Sequence, residues 1–498
     1  MKKITREEII TYIIIFVITC IIFIPFLIGH YATDTYNVIN IGYEKYAIEW
    51  SLNDGRIFMS AITLLAGKIN LPIEAFIFIT LFLALIISCL SVMQIKKVIE
   101  KYKKSKNIWQ KILTVTMAYI TIFNFMYIED MYFVESFVMS VSILLFIISA
   151  NILVEKQEKY YLIKTLFLVI TGIMFYQGSI CMFFIMTLFI SILKNKNNVK
   201  QIFIDVIECG VIALISAVLN VLLIKCIGKI YGMEQTRLSE VNEIFKNIYK
   251  IAMNTYVIIT GCCNLYPQYL YMALVAIIIL ITVGYVIEKQ KEKSIIIKIL
   301  AIVIMGILSS SVTFILALTS FYSGRLRISI GATIGMLFIL LYIETEIFEN
   351  KTTFKYLITT LLMFYTFTNV FGYVYLMLQH KEVNRIEKIE IQEIDKYITE
   401  YEEQTGTEIK NIVKVRVPNR ASKAYYSWIK NKSTLTYTAV RSDLAADCAI
   451  NFYTKRHLKT VTDFDYKGIT KEFKERVLFS KEGYFCEGDT FYINVYMY

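Results

Sequence analysis

The sequence predicts a polytopic α-helical membrane protein of about eleven transmembrane helices, followed by a small extracytoplasmic α/β C-terminal domain. Three observations carry that prediction. Apolar runs of about 20 residues recur up to residue 380, the length a helix needs to cross a bilayer. Of the 498 residues, 56% are hydrophobic, 19% are charged and only 4 are proline. After His380 the pattern turns into a charged helix and then into short alternating stretches. The apolar runs are continuous, which excludes the alternation of a membrane β-barrel. Helices then remain as the way to satisfy a backbone inside lipid.

The runs place spans near 8–29, 73–95, 110–128, 131–153, 161–176, 178–193, 202–226, 268–287, 295–319, 328–346 and 353–378. Lys2, Lys3 and Arg6 precede the first run, and Lys96, Lys97, Lys101, Lys103, Lys104 and Lys106 follow the second. Lys156 and Lys159, then Lys194, Lys196 and Lys200, then Lys289, Lys291 and Lys293, and Lys351 with Lys355 mark the later loops on that side. The opposite turns at Glu129-Asp130 and Tyr176–Gly178 carry no Lys or Arg. The positive-inside rule therefore puts the N-terminus in the cytoplasm, and an odd number of spans puts the tail outside. These loops also hold much of the net charge of +11, so the expected partner is a lipid bilayer and not nucleic acid. The first run is too long for a signal-peptide core and lacks a small-residue cleavage site, so it is expected to be retained.

Residues 1–380 form the expected transmembrane module, with an outer loop over 30–72, and residues 381–498 the outer α/β domain. Ile57–Ile69 is apolar but short and suits a helix along the interface. Ser239–Thr260 has helical spacing behind a serine cap. In the tail, IVKVRV, TLTYTAV and TFYINVYMY read as strands. No CxxC pair or zinc spacing occurs among the 9 cysteines, and Cys262-Cys263 are adjacent. Cys448 and Cys486, alone in the tail, are read equally as a disulfide or as two thiols.

The stretch His30–Arg56 is too long and too charged for a plain connection between two spans. It holds Asp34, Glu44, Glu49, Trp50, Asp54 and Arg56, with four tyrosines among them. Further along, Glu129, Asp130 and Glu135 fall at the outer ends of spans, and Tyr176-Gln177 forms the polar point of a tight outer turn. Arg325 and Arg327 break the positive-inside pattern beside a span. Each has a plainer reading: a solvated loop acid, a structural ion pair, interfacial aromatics, or snorkelling arginines.

An opening span, an outer loop with Asp34 near its start and Trp50 and Gly55-Arg56 near its end, and a later Tyr176-Gln177 pair together resemble the serotype-converting type II glucosyltransferases. These are multi-span membrane glycosyltransferases of the GT-C architecture, and the resemblance covers roughly residues 1–380. It implies transfer of a hexose, often glucose, from a polyprenyl-phosphate donor to a glycan acceptor outside the cytoplasm. Members often carry two adjacent acids at the start of the loop; here Asp34 is followed by Thr35, so Glu44, Glu49, Asp54, Glu129 or Asp130 would supply the second. On that basis Asp34 is the expected general base, with Glu129 and Asp130 as further catalytic candidates. Arg56, Arg325 and Arg327 suit the leaving phosphate, because a guanidinium fork matches its oxygens. Trp50, Tyr176 and Gln177 suit the sugar. No cofactor is expected; a divalent ion held by Asp34 and a second acid stays open as an alternative. The competing functions are a transporter or flippase for a lipid-linked glycan, which calls for midplane charges and matching broken helices, and a polysaccharide polymerase. Few mid-span charges and no internal repeat favour the transferase.

Overall fold

A computed structural model describes residues 5–157, 159–196, 198–232, 244–262, 267–290, 293–317, 328–349, 352–417, 438–461 and 483–496. The helices are α1 (Arg6–Ile22), α2 (Ile24–Leu27), α3 (Thr33–Ile41), α4 (Tyr43–Lys45), α5 (Ile57–Lys68), α6 (Ile73–Tyr102), α7 (Ile108–Ile122), α8 (Tyr127–Tyr132) and α9 (Ser136–Glu155). They continue as α10 (Tyr161–Phe175), α11 (Cys181–Asn195), α12 (Val199–Tyr231), α13 (Ile244–Gly261), α14 (Leu270–Lys289), α15 (Ser294–Ala317), α16 (Ile328–Glu344), α17 (Thr353–Thr405) and α18 (Ala446–Thr454). Among the described residues, seven helical stretches are long and apolar enough to cross a membrane.

The other four expected spans fall on the shorter helices α1, α7, α10 and α16, two of them shortened by backbone breaks that hydropathy does not register. The first run is cut at Phe23, leaving 17 residues in α1. The run expected over 110–128 stops at Ile122, and α8 begins at Tyr127 after a non-helical stretch. Asn124 stabilises that break: its Nδ2 donates to the carbonyl of Thr121 at 3.0 Å and its Oδ1 accepts from the Met126 amide at 3.1 Å. The Tyr373 hydroxyl donates to the Asn124 carbonyl. Irregular backbone among apolar helices is tolerated when it is buried and satisfied in this way.

The chain divides into two compact units. The first comprises Met1–Ile24, Ala47–Leu65 and Ile79–Val374. Its helix α1 starts with a capping box, in which the Glu8 amide donates to Thr5 Oγ1 at 3.2 Å and the Thr5 amide to Glu8 Oε2 at 2.8 Å. Glu7 pairs with Lys111 at 2.7 Å and Glu8 with Lys97 at 3.6 Å, tying α1 to α7 and α6. Helix α9 packs on α10 and α11, and α16 on α7 and α15. Every residue from Ile328 to Tyr342 is buried, so α16 is apolar all round because protein surrounds it. By contrast Phe203, Leu214 and Leu222 of α12 are exposed, as a lipid-facing side requires.

The crossing of α16 and α7 depends on glycine. A Cβ at Gly335 would stand 2.8 Å from the Thr121 amide nitrogen and Cα, and one at Gly331 would stand 2.9 Å from Asn124 Cβ. Backbone on one side cannot give way, so Gly335→Ala is expected to destabilise the first unit by about 1–3 kcal/mol, the usual range for overpacking. Thermal unfolding in detergent checks this, with Gly210→Ala as a control, since a Cβ there meets nothing within 4 Å.

The second unit comprises Pro25–Tyr46, Ala66–Phe78 and Tyr375–Tyr498. A four-stranded sheet of order β2-β1-β4-β3 runs through it, with β1 (Asn411–Val417), β2 (Lys459–Thr460), β3 (Tyr484–Glu487) and β4 (Thr490–Tyr496). β1 is parallel to β2 and β4, and β3 and β4 form an antiparallel hairpin. The alternation in IVKVRV and TFYINVY buries Val413, Val415, Phe491, Ile493 and Val495. Of these, Phe491, Ile493 and Val495, together with Ile412, pack with Ile391, Ile394 and Ile398 of α17 and with Ala449 and Ile450 of α18. The expected strand TLTYTAV is corrected in part: Ala439–Arg441 form a 3-10 turn, and residues 434–437 lie outside the described ones. Arg441 is buried there, held by Glu390 at 2.7 Å, so an ion pair overrides strand propensity. Cys448 and Cys486 are both free thiols.

Candidate functional site

The first unit gathers charge at one point. Ala47–Leu52 belong to a π-helical turn, Tyr46–Leu52, a rare form that concentrates at functional sites. Trp50 lies on this turn, partly buried. The chain then closes tightly: the Gly55 amide donates to the Leu52 carbonyl at 2.9 Å and the Arg56 amide to the Ser51 carbonyl at 2.8 Å. Gly55 has φ of 75°, and a Cβ there would meet Ile224 Cδ1 at 2.6 Å, so both conformation and space call for glycine.

Arg56 leaves that turn into an acidic, aromatic setting. Its Nη1 donates to Glu135 Oε2 at 2.6 Å, and its Nη2 lies 3.5 Å from Asp54 Oδ2. Its guanidinium sits 5.0 Å from the centre of the Tyr176 ring, a cation–π distance. Gln177 Nε2 donates to the carbonyl of Asp54. The Tyr176 carbonyl in turn accepts from Ser142 Oγ at 2.8 Å. The tight turn after Tyr176 needs Gly178, whose Cβ would fall 2.8 Å from Tyr176 Cζ. Segments 54–56, 135 and 176–177, distant in sequence, thus meet around one guanidinium.

Glu129 and Asp130 differ from the sequence expectation of a turn between two spans. They lie on the six-residue α8, and each is only 1% exposed. Burial and the neighbouring Glu129 charge push the Asp130 carboxyl well above the usual carboxylate range. Asp130 Oδ1 has no hydrogen-bond partner among the described residues. Glu135 is the group that sequence reasoning under-weighted: an acid inside an apolar run was the signal, but its partner lies 79 residues away. Arg325 and Arg327 lie outside the described residues. Among the described residues, no three His, Cys, Asp or Glu side chains come together as a metal site.

Asp34 belongs to the second unit, partly buried in the first turn of α3. There Tyr36 donates to Glu387 Oε2 at 3.1 Å, and the Val440 amide donates to Glu387 Oε1 at 2.8 Å. Glu387 lies on α17, whose 53 residues far exceed a bilayer crossing, in its charged part beyond residue 378. Burial raises its carboxyl to about 7 against the lowering effect of those two donors. The folded state therefore binds this proton more tightly than the unfolded chain. Stability from this group is full below pH 4.5 and is lost as pH rises through 7, on the order of 3 kcal/mol. Glu387→Gln keeps an acceptor for the Val440 amide and is expected to flatten that dependence, measured as Tm between pH 5 and pH 8.

A buried ion-paired centre in a bundle of apolar helices is the setting of a membrane-embedded protein. The sequence model of the family described as Glucosyl transferase GtrII matches residues 23–342. The chain belongs to that family and is a membrane-embedded glucosyltransferase. No curated protein matches the chain, and no solved structure matches it.

Proposed function

We propose that the protein transfers a hexose, in the first place glucose, from a polyprenyl-phosphate donor to a cell-surface glycan on the outer face of the cell membrane, with inversion. Asp34 takes the proton of the acceptor hydroxyl, its oxygen bonds to the anomeric carbon, and the bond from that carbon to the phosphate oxygen breaks. The electron pair leaves with polyprenyl phosphate. Arg56 faces the charge of that phosphate while Glu135 and Asp54 fix its fork; Trp50, Tyr176 and Gln177 hold the sugar, and Arg325 and Arg327 add charge for the carrier. Glu129 or Asp130 supplies the second acid of the reaction. Eleven crossings, an N-terminus in the cytoplasm and an outer tail complete this reading.

The observation that carries it is the Arg56–Glu135 pair at 2.6 Å beside Tyr176, inside the family-matched region. Burying such charges among apolar helices is costly, so they mark a task. Purified protein, labelled polyprenyl-phosphate glucose and an acceptor glycan test it. A new glycosidic bond with release of polyprenyl phosphate is expected. Movement of the label between leaflets without such a bond would replace the transferase by a flippase.

A further inference from the structure

The family match ends at residue 342, yet the helix that bears Asp34 packs on α18 and is hydrogen-bonded to α17, both beyond it. Asn384 uses both ends of its amide on one residue: the Tyr31 amide donates to its Oδ1 at 3.0 Å, and its Nδ2 donates to the Tyr31 carbonyl at 3.0 Å. His380 Nε2 lies 3.0 Å from the same carbonyl, and its ring meets Phe26 edge-on. One turn further on, the Tyr36 hydroxyl lies 3.1 Å from Glu387 Oε2 and 3.1 Å from the Tyr453 hydroxyl. Cys448 Sγ donates to Asn37 Oδ1 at 3.3 Å. Asp34 stands between these two sets of contacts, three residues after Tyr31 and two before Tyr36.

Apolar packing alone does not fix such a helix. α3 has nine residues, too few to be stable by itself. Contacts with Ile391 and Ala449 are non-directional and tolerate a small rotation or slip. The hydrogen bonds to both polar groups of Tyr31 set where the helix begins, and the Tyr36 hydroxyl sets its rotation. We propose that the tail acts as a clamp on the catalytic helix, with Asn384, His380, Glu387 and Tyr453 as positioning residues that fix the aim of Asp34. This rests on the reading of Asp34 as the base. It gives the segment after residue 342 a part in the reaction that does not require it to touch substrate.

The test uses the full-length protein with labelled polyprenyl-phosphate glucose. Asn384→Ala and Tyr36→Phe are each expected to lower kcat about 10- to 100-fold, the scale of a misplacement near 1 Å, with KM for the donor unchanged within about 2-fold. The acid limb of their kcat–pH profiles should move, since the base it reports has a new setting. Arg456→Gln is the control: it breaks contacts of Arg456 to Glu402 and Thr399 on the same helix and is expected to leave kcat and the pH profile as they are. Asn384→Asp keeps the acceptor and loses the donor, so an intermediate loss is expected even where Asn384→Ala folds poorly. Wild-type kcat in Asn384→Ala and Tyr36→Phe, with Asp34→Asn inactive, overturns the clamp. Wild-type kcat in Asp34→Asn overturns the base assignment instead.

Discussion

Asp34→Asn is expected to lower glucosyl transfer by about 10²–10⁴-fold, the usual contribution of a general base. The substitution keeps shape and hydrogen-bonding capacity while removing the proton acceptor. Polyprenyl phosphate leaves readily from a sugar, so the poor nucleophile is the acceptor hydroxyl, and the loss should fall on kcat. KM for the donor should hold within about 2-fold, since an interaction made only in the transition state is what disappears. Initial rates with labelled donor and a fixed glycan acceptor measure both. Glu129→Gln and Asp130→Asn make the informative comparison. If either of them removes activity while Asp34→Asn retains it, the base belongs to α8 and the role given to α3 is wrong.

Arg56→Ala has the second large effect. Glu135 is 6% exposed at its side chain and Arg56 20%. Removing the cation leaves a buried carboxylate uncompensated, and breaking such a pair typically costs about 3–5 kcal/mol. Arg56→Lys should recover little, because a point charge cannot bridge Glu135 and Asp54 and lacks the flat face presented to Tyr176. The combination Arg56→Gln with Glu135→Gln separates the two roles. It removes both charges, so Tm should return most of the way to wild type, while transfer should stay low because the phosphate has lost its guanidinium. Transfer restored together with Tm would make Arg56 a structural residue only.

The parts of the fold that were legible in the sequence are those written in hydropathy and local spacing. Helices α6, α9, α12 and α14 follow their apolar runs, α5 fills the short run over 57–69, and β1 and β4 follow their alternating residues. What hydropathy could not show is backbone geometry inside an apolar run. The breaks at Phe23 and around Asn124 are lined with apolar residues, so the runs read through them. The site was legible to the same depth. Arg56, Tyr176 and Gln177 were singled out by residue type and position, and the structure brings them together. Their acidic partner was not identified, because no periodicity links residue 56 to residue 135. The burial of Glu129 and Asp130 escaped for the reason that made α8 invisible: six residues carry no pattern. The hold of Asn384 on Tyr31 spans 353 positions and is likewise a tertiary fact.

The seclusion of the Arg56–Glu135 contact has a consequence for ionic conditions. Mobile counterions screen charges over about 8 Å in physiological salt, but only where water lets them approach. A carboxylate this far from solvent should keep its attraction for the guanidinium in dilute and concentrated buffer alike. Whatever salt dependence the turnover shows should then arise at the anionic membrane surface and in the approach of the proposed polyprenyl-phosphate donor.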